Sequence, residues 1–450
     1  MTVETIAAIA TAPGRAAVGI LRISGPAAGA IGCRIAGKLP PPGQMGLRSF
    51  RDATGEAIDR GLLVFFKAPR SFTGEDVVEL QTHGSGVVLD MLLQSACASG
   101  ARIARPGEFS ERAFLNGRLD LAQAEAIADL IDAGSQAAAR AAARSMEGLF
   151  SARTNAIIEQ LIGIRSELEA ALDFSDEELP GVSSSATGER LAALNAGLAR
   201  LLKEAGQGRR LREGLRIAIV GQPNVGKSTL LNRLAGSDVA IVSPVAGTTR
   251  DAVRESIVLD GLPLTIIDTA GLRDTLDPVE REGVLRARTA LRGADIALFV
   301  VDDRSGIDTV NADLMATLPA ELPRIVVRNK CDLSGRDPAE LQPTTSNDDI
   351  RICAASGAGV ELLGRALRRL SGINADSTSL FSARARHVEA LGRAATHLAR
   401  ARAISALGDA SAELVAEDLR LAQQALEEIT GRFTPDQLLD RIFSSFCLGK

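Results

Sequence analysis

Apolar positions in the first 117 residues fall in short runs separated by turn residues. Val18-Gly19-Ile20-Leu21-Arg22-Ile23 and Gly61-Leu62-Leu63-Val64-Phe65-Phe66 have strand character, and Pro40-Pro41-Pro42-Gly43 is a turn cluster. This stretch predicts an α+β block. From Leu119 the period changes to that of an alanine-rich helix, with Leu121, Ala124, Ala128 and Ile131 and then Leu161, Ile164, Leu168 and Leu172 on one face. Asp176-Glu177-Glu178-Leu179-Pro180-Gly181 breaks the pattern, Ser183-Ser184-Ser185 reads as a loop, and a helix resumes over Leu191 to Leu211. Between about 214 and 373 the apolar runs become short and continuous, as in buried parallel strands. Helical spacing returns after Asn374-Ala375-Asp376-Ser377, for His387 to Leu407 and Ala412 to Ile429. Four segments follow: 1–117, 118–213, 214–373 and 374–450. Either one helical domain is split by an inserted α/β domain, or two separate helical bundles flank it. Insertion is tolerated because domain termini often lie close together.

The inserted segment carries specific chemistry. Arg216-Ile217-Ala218-Ile219-Val220 is an apolar run that ends at Gly221-Gln222-Pro223-Asn224-Val225-Gly226-Lys227-Ser228, and Thr229-Leu230-Leu231 continues as a helix. Gly221 and Gly226 let the backbone wrap closely, so that its N–H groups and the helix N-terminus face phosphates. In such a phosphate-binding loop Lys227 reaches the β- and γ-phosphates and the Ser228 hydroxyl binds Mg²⁺. Leu264-Thr265-Ile266-Ile267 ends at Asp268, which puts a carboxylate at a strand terminus beside the Mg²⁺ shell. Thr269, Ala270 and Gly271 follow, the last with an N–H able to sense a γ-phosphate. Thr248-Thr249 precedes them. Ile325-Val326-Val327-Arg328 leads into Asn329-Lys330-Cys331-Asp332. An ionised Asp332 only accepts, so it can take two N–H bonds from guanine, whereas adenine lacks the matching donors. Ile352-Cys353-Ala354-Ala355-Ser356 is expected to supply a backbone N–H to the guanine oxygen. The set predicts a GTPase.

Leu272 stands where many small GTPases carry a water-orienting glutamine, and no arginine finger is evident, although Arg250 and Arg254 lie near the first switch. Glu280 is a candidate for the water. Asn224 offers an oxygen that could hold a monovalent cation beside the phosphates, or it is simply a turn residue.

The remaining composition bounds the setting. The formal net charge is −5, so there is no global basic field, and nucleic acid would need a local patch. No apolar run approaches the ~20 residues of a membrane span. Five scattered cysteines without a Cys-x-x-Cys pair, and three histidines outside any ligand cluster, speak against zinc and disulfides. The N-terminus lacks a signal-type core, and the chain reads as cytosolic. Two charged stretches, Phe72 to Leu80 around a strand edge and Gly107 to Asp120 at a domain junction, suit either a solvated surface or a polar-ligand pocket. The tail Phe446-Cys447-Leu448-Gly449-Lys450 is either docked or frayed.

Taken together, Pro13-Gly14-Arg15, Leu21-Arg22-Ile23-Ser24-Gly25, the Thr73-Gly74-Glu75-Asp76 stretch, Asn116-Gly117-Arg118-Leu119-Asp120-Leu121, the GTPase motifs and the terminal Cys-x-Gly-Lys resemble the MnmE (TrmE) family of tRNA-modifying GTPases over the whole chain. The resemblance implies an N-terminal α+β folate-binding domain that forms a homodimer, a discontinuous all-helical domain, and an inserted P-loop, Ras-like GTPase domain. It implies work on the wobble uridine of certain tRNAs with the FAD-dependent partner MnmG (GidA) in a hetero-oligomer, adding an aminomethyl-type or carboxymethylaminomethyl group at carbon 5. Arg22, Glu79, Arg118 and Lys450 match positions expected to contact a 5-formyltetrahydrofolate or related one-carbon folate; Arg118 replaces a lysine often found there. Cys447 matches a functionally required cysteine. Asn224, Ser243, Val245 and Thr248 match potassium-binding positions, Ser228 and Thr249 match Mg²⁺ ligands, and Glu280 matches the water-orienting acid. The family's GTPase domains meet across the dimer when GTP and potassium are bound. A ribosome-assembly GTPase and a folate enzyme with a regulatory GTPase are the rival readings.

Overall fold

The computed structural model describes residues 4–173, 184–236, 254–259, 261–268, 293–342, 347–372, 380–406, 412–432, 436–444, 446 and 449. It divides into two compact units, Met1–Ala128 with Gln423–Lys450, and Asp129–Ala422.

In the first unit the described residues form a six-stranded sheet of β1 (Ile6–Ile9), β2 (Ala16–Ser24), β3 (Met45–Arg51), β4 (Ala57–Phe66), β5 (Val77–Gly84) and β6 (Arg102–Ile103), in the order β3-β4-β5-β2-β1-β6. Leu21 and Ile23 of β2 and Val78 and Leu80 of β5 point to one face. There they share a core with Ile31 and Ile35 of α1 (Ala28–Ala36) and Leu92 and Ala96 of α2 (Gly86–Ala98). Each of the buried Leu, Ile and Val side chains contributes roughly 1.5–3 kcal/mol on burial, and Ala96 less. The two-residue period then puts Arg22 and Glu79 on the opposite face, where the antiparallel register makes them direct partners. β5 pairs on both sides, with β4 and β2, so the carboxylates of Glu75 and Asp76 precede an interior strand rather than an edge.

The charged run at Gly107–Asp120 is α3 (Glu108–Leu115) and its C-terminal turn. Glu108, only 3% exposed, accepts hydrogen bonds from Arg102 at 2.7 and 3.0 Å, from the Arg105 N–H at 2.8 Å and from Arg112 at 3.1 Å. Arg112 continues to Glu75, which also accepts from the Ser24 hydroxyl at 2.7 Å. The charges satisfy one another inside the unit. Burial opposes ionisation of Glu108, but the arginines and the backbone donor prevail and bring its pKa down from 4.5 to about 2.

The second unit holds a seven-stranded sheet among its described residues: β7 (Leu215–Val220), β8 (Arg254–Leu259), β9 (Leu262–Asp268), β10 (Ile296–Asp302), β11 (Arg324–Asn329), β12 (Ala339–Gln342) and β13 (Asn347–Arg351). The order is β12-β13-β11-β10-β7-β9-β8, parallel except for the antiparallel pairs β8–β9 and β12–β13. All of β10 is buried, as expected for a strand covered on both faces.

The helical pattern after Leu119 is not continuous. It forms α4 (Leu121–Ile131), α5 (Gln136–Met146) and α6 (Leu149–Asp173), and the Ser135 side chain caps α5 by accepting the Ala138 N–H. α7 (Ser184–Glu213) leads straight into β7. On the other side of the α/β segment the chain returns at Leu380 and enters α12 (Ala385–Ser405). The two sides pack together: Phe150 stacks on Phe381 at 4.6 Å, and the Ser145 hydroxyl donates to the Ser382 carbonyl at 3.0 Å. Within this unit the helices before and after the P-loop segment are thus one discontinuous body, not two separate bundles. No helix among the described residues is long and apolar enough to cross a membrane.

Candidate functional site

Parallel strands put their carboxyl ends along one edge of a sheet, and that edge is where such folds bind ligands. Here β7 ends at Val220, just before Gly221, β10 at Asp302, with Asp303 next, β11 at Asn329, and β13 just before Ile352. Register fixes their mutual level, with Phe299 opposite Val220 and Asp302 opposite Asn329. Asp268 closes β9 one strand further on, its backbone opposite Ile219.

The loop after β7 has the backbone that its sequence demands. Gly226 adopts φ 98°, and a Cβ built on it would lie 2.2 Å from the Asn329 side-chain nitrogen, so only glycine fits. Asn224 also takes a left-handed φ, 62°. Lys227 opens α8 (Lys227–Ala235) and turns its ammonium back onto the carbonyls of Gly221 and Gln222, at 2.8 and 2.7 Å. Ser228 and Thr229 follow in the first helical turn, both exposed. Asn224 is exposed as well, while Val225 is buried.

Asn329 joins this loop to the segments that the sequence leads one to expect at the base. Its amide nitrogen donates to the Val225 carbonyl at 2.8 Å, and its oxygen accepts the Ala354 N–H at 2.9 Å, in surroundings that leave it 2% exposed. Lys330, at φ 66°, donates to the Asn224 carbonyl at 2.6 Å and to Asp302 at 3.1 Å. Asp332 sits exposed on the single turn α10 (Cys331–Ser334). The Cys353 N–H is committed to the Ala358 carbonyl at 2.9 Å and the Ala354 N–H to Asn329. In this arrangement these two amides of the stretch expected to face the guanine oxygen are engaged within the protein, because the segment closes on itself before Gly359.

Sequence reasoning missed two acids here, Asp302 and Asp303. The Ile296–Val301 run that precedes them would have located both. Hydrogen bonds from Arg304, reinforced by Lys330 against the effect of burial, hold the Asp302 carboxyl far below the usual carboxylate range. Burial pushes the Cys331 thiol up, so it stays neutral between Lys330 and Asp332.

Ser243, Val245, Thr248, Thr249, Thr269, Ala270, Gly271 and Glu280 lie outside the described residues, as do Cys447 and Lys450. In the first unit Arg22 donates to Glu79 at 2.8 Å, lies over the rings of Phe72 and Phe109 at 5.5 and 5.7 Å, and reaches the Gly449 carbonyl at 3.5 Å. Arg118 is exposed beside Gly74, whose neighbour Thr73 accepts from Asn116 at 2.7 Å. A guanidinium paired with a carboxylate and flanked by aromatic rings suits a ligand that is both planar and anionic.

Comparison with known proteins places these features in a family. The model described as GTP-binding protein TrmE N-terminus matches residues 5–118, and the MnmE helical domain model matches residues 121–447. The tRNA modification GTPase MnmE of Thiobacillus denitrificans is 51% identical over 99% of this chain and 98% of its own. That of Stutzerimonas stutzeri is 51% identical over 99% of each, and that of Yersinia pseudotuberculosis 50% identical over the full length of both. Among solved structures, Era of Aquifex aeolicus bound to GDP·AlF4⁻ is 28% identical, covering 40% of this chain and 66% of its own at a TM-score of 0.28, so the GTPase assignment rests on the motifs and the full-length relatives instead. With half its positions identical from end to end to those relatives, this chain belongs to the tRNA modification GTPase MnmE family.

Proposed function

We propose that this chain couples GTP hydrolysis to modification of carbon 5 of the wobble uridine in certain tRNAs, together with an FAD-dependent partner of the MnmG kind. The observation that carries the GTP half is Asn329, which ties the phosphate loop through Val225 to the base-reading segment through Ala354. A base seated against Asp332 and phosphates seated over Lys227 then report to the same side chain. Lys227, released from the Gly221 and Gln222 carbonyls, meets the β- and γ-phosphates. Asp332 selects guanine by accepting two N–H bonds, with the Cys353–Ala354 segment alongside it.

Hydroxyl and carboxylate oxygens are the donors Mg²⁺ takes, so Ser228, Thr249 and Asp268 would hold it, and when bound it neutralises phosphate charge. Asn224, Ser243, Val245 and Thr248 would offer the neutral oxygens that suit potassium, which when bound would supply the charge stabilisation that an arginine finger gives elsewhere. Glu280 orients the attacking water, since Leu272 cannot. In the N-terminal domain Arg22, Glu79, Arg118 and Lys450 would hold a one-carbon folate, which supplies the carbon unit; the Arg22–Glu79 pair fixes the anchoring guanidinium. Cys447 serves the modification chemistry. The domains run 1–117 (folate binding and homodimerisation), 118–213 with 374–450 (helical) and 214–373 (GTPase), and the enzyme works in the cytoplasm.

The test is steady-state hydrolysis of GTP by the full chain with Mg²⁺, in potassium and in sodium, with ATP as control. Faster turnover in potassium, no turnover of ATP, and a lower kcat with little change in GTP affinity for Glu280→Ala support the reading. Equal rates in the two salts remove the cation mechanism.

A further inference from the structure

Asp332 does not hold itself in place. The turn that carries it, α10, is four residues long and lies between two left-handed residues, Lys330 at φ 66° and Gly335 at φ 68°. A single turn is well below the length at which a helix is stable alone. Whatever fixes this turn therefore fixes the base-reading carboxylate.

Asp303 occupies that position. It follows the last residue of β10, and its side chain is fully buried. Its N–H donates to the Asn329 carbonyl at 2.8 Å, which sets its height against the end of β11. Its carboxylate accepts from the hydroxyl of Ser334, the last residue of α10, and from the Arg351 Nε at 3.3 Å, with Arg336 at 3.9 Å. Arg351 closes β13 and in turn donates to the Asp337 carbonyl at 3.3 Å, just beyond the turn. Three segments that must agree for guanine to be read (the turn, the end of β11 and the end of β13) thus meet on one buried carboxylate balanced by arginine.

We propose that Asp303 is the positioning residue for guanine specificity: it sets the turn so that Asp332 presents its carboxylate to the base. The inference rests on the reading of Asp332 given above. It carries a distinctive signature. Inosine nucleotides lack the 2-amino group, so a well-placed Asp332 makes two bonds to GDP and one to IDP. A misplaced one loses the advantage that separates them.

The experiment is competition of GDP and IDP against a fluorescent GDP analogue on the full chain with Mg²⁺, for wild type, Asp303→Asn and Ser334→Ala. Ser334→Ala removes the link from Asp303 to the turn, together with the hydroxyl's local contact to the Cys331 carbonyl at 3.0 Å, and leaves the Asp303–Arg351 pair intact, so it stands in should Asp303→Asn fold poorly. Wild type is expected to prefer GDP by on the order of tenfold or more, one charge-assisted hydrogen bond. In both variants the preference falls below about threefold, and the loss in GTP turnover falls on KM more than on kcat. Variants that keep the wild-type GDP/IDP ratio, with or without a lower melting temperature, overturn the proposal. A wild type that does not separate GDP from IDP overturns the Asp332 reading itself, and the proposal with it.

Discussion

Gly226→Ala tests the phosphate loop at its tightest point. A Cβ at this residue would stand 2.2 Å from the Asn329 side-chain nitrogen, on a backbone with φ 98°. Left-handed backbone costs a non-glycine residue roughly 1–2 kcal/mol. Moving Asn329 aside breaks its bonds to Val225 and Ala354, at 2.8 and 2.9 Å. Each is worth about 1 kcal/mol net. The sum is about 3 kcal/mol. The free protein escapes the clash by shifting the loop or Asn329, whereas nucleotide requires both in place, so the penalty falls on binding. At about 1.4 kcal/mol per decade, the GDP dissociation constant should rise on the order of a hundredfold. Equilibrium titration with a fluorescent GDP analogue measures this. Gly261→Ala is the control, because Gly261 has a similar φ of 79° but nothing within 4 Å of its Cβ. It should leave the constant unchanged. Gly226→Ala binding within threefold of wild type would refute the reasoning, because the glycine would then not be needed for close approach.

The other predictions concern buried carboxylates. Glu108 titrates at about 2 rather than 4.5, so its contribution is complete above the ordinary value and is lost as pH falls toward the folded one. Hydrogen-exchange protection of the 102–115 region, corrected for intrinsic rates, should fall on the order of fiftyfold from pH ~5 to pH ~2.5. Glu108→Gln should lower protection at pH ~5 and flatten the dependence. Asp302→Ala should weaken GDP binding about tenfold, because Lys330 loses the partner that aligns it on the Asn224 carbonyl; an unchanged constant would mean that Lys330 aligns itself. Asp129 accepts from Arg212 at 2.7 Å, Ser382 at 2.7 Å and Arg384 at 2.8 Å, and so clamps both chain connections to the inserted domain. Asp129→Ala should cost about 3 kcal/mol there and raise exchange around residues 205–213 and 380–390 while sparing β1 and β2.

What the sequence made legible was local. A phosphate loop declares itself because its glycines, lysine and serine fall within eight residues, and the apolar runs at Arg216–Val220 and Ile325–Arg328 place it and the guanine motif on strands. Arg22 is marked by the family resemblance, and the structure adds that the alternation of β2 turns it off the core face. What stayed hidden depends on residues distant in the chain. Asp303 gains its role from Ser334 and Arg351, and Asp129 from Arg212, Ser382 and Arg384, none of which any periodicity brings together. The run at Gly107–Asp120 reads as turn and charge because polar residues dominate it. It is a helix because Glu108 finds arginines from another strand and from its own next turn. The break between α4 and α5 carries little punctuation beyond Gly134 and Ser135. The stretch Ile352 to Ser356 reads as a source of a free backbone N–H because nothing in the sequence announces that Ala358 will take the Cys353 amide.

The central claim, GTP-driven modification of wobble uridine, is tested most directly by mass spectrometry of tRNA from cells lacking this gene, with and without complementation. The account predicts that the carbon-5 group disappears from wobble uridines, returns with the wild-type gene, and does not return with Cys447→Ser. Wobble uridines that are unchanged by the deletion, in cells without a second copy, would contradict it.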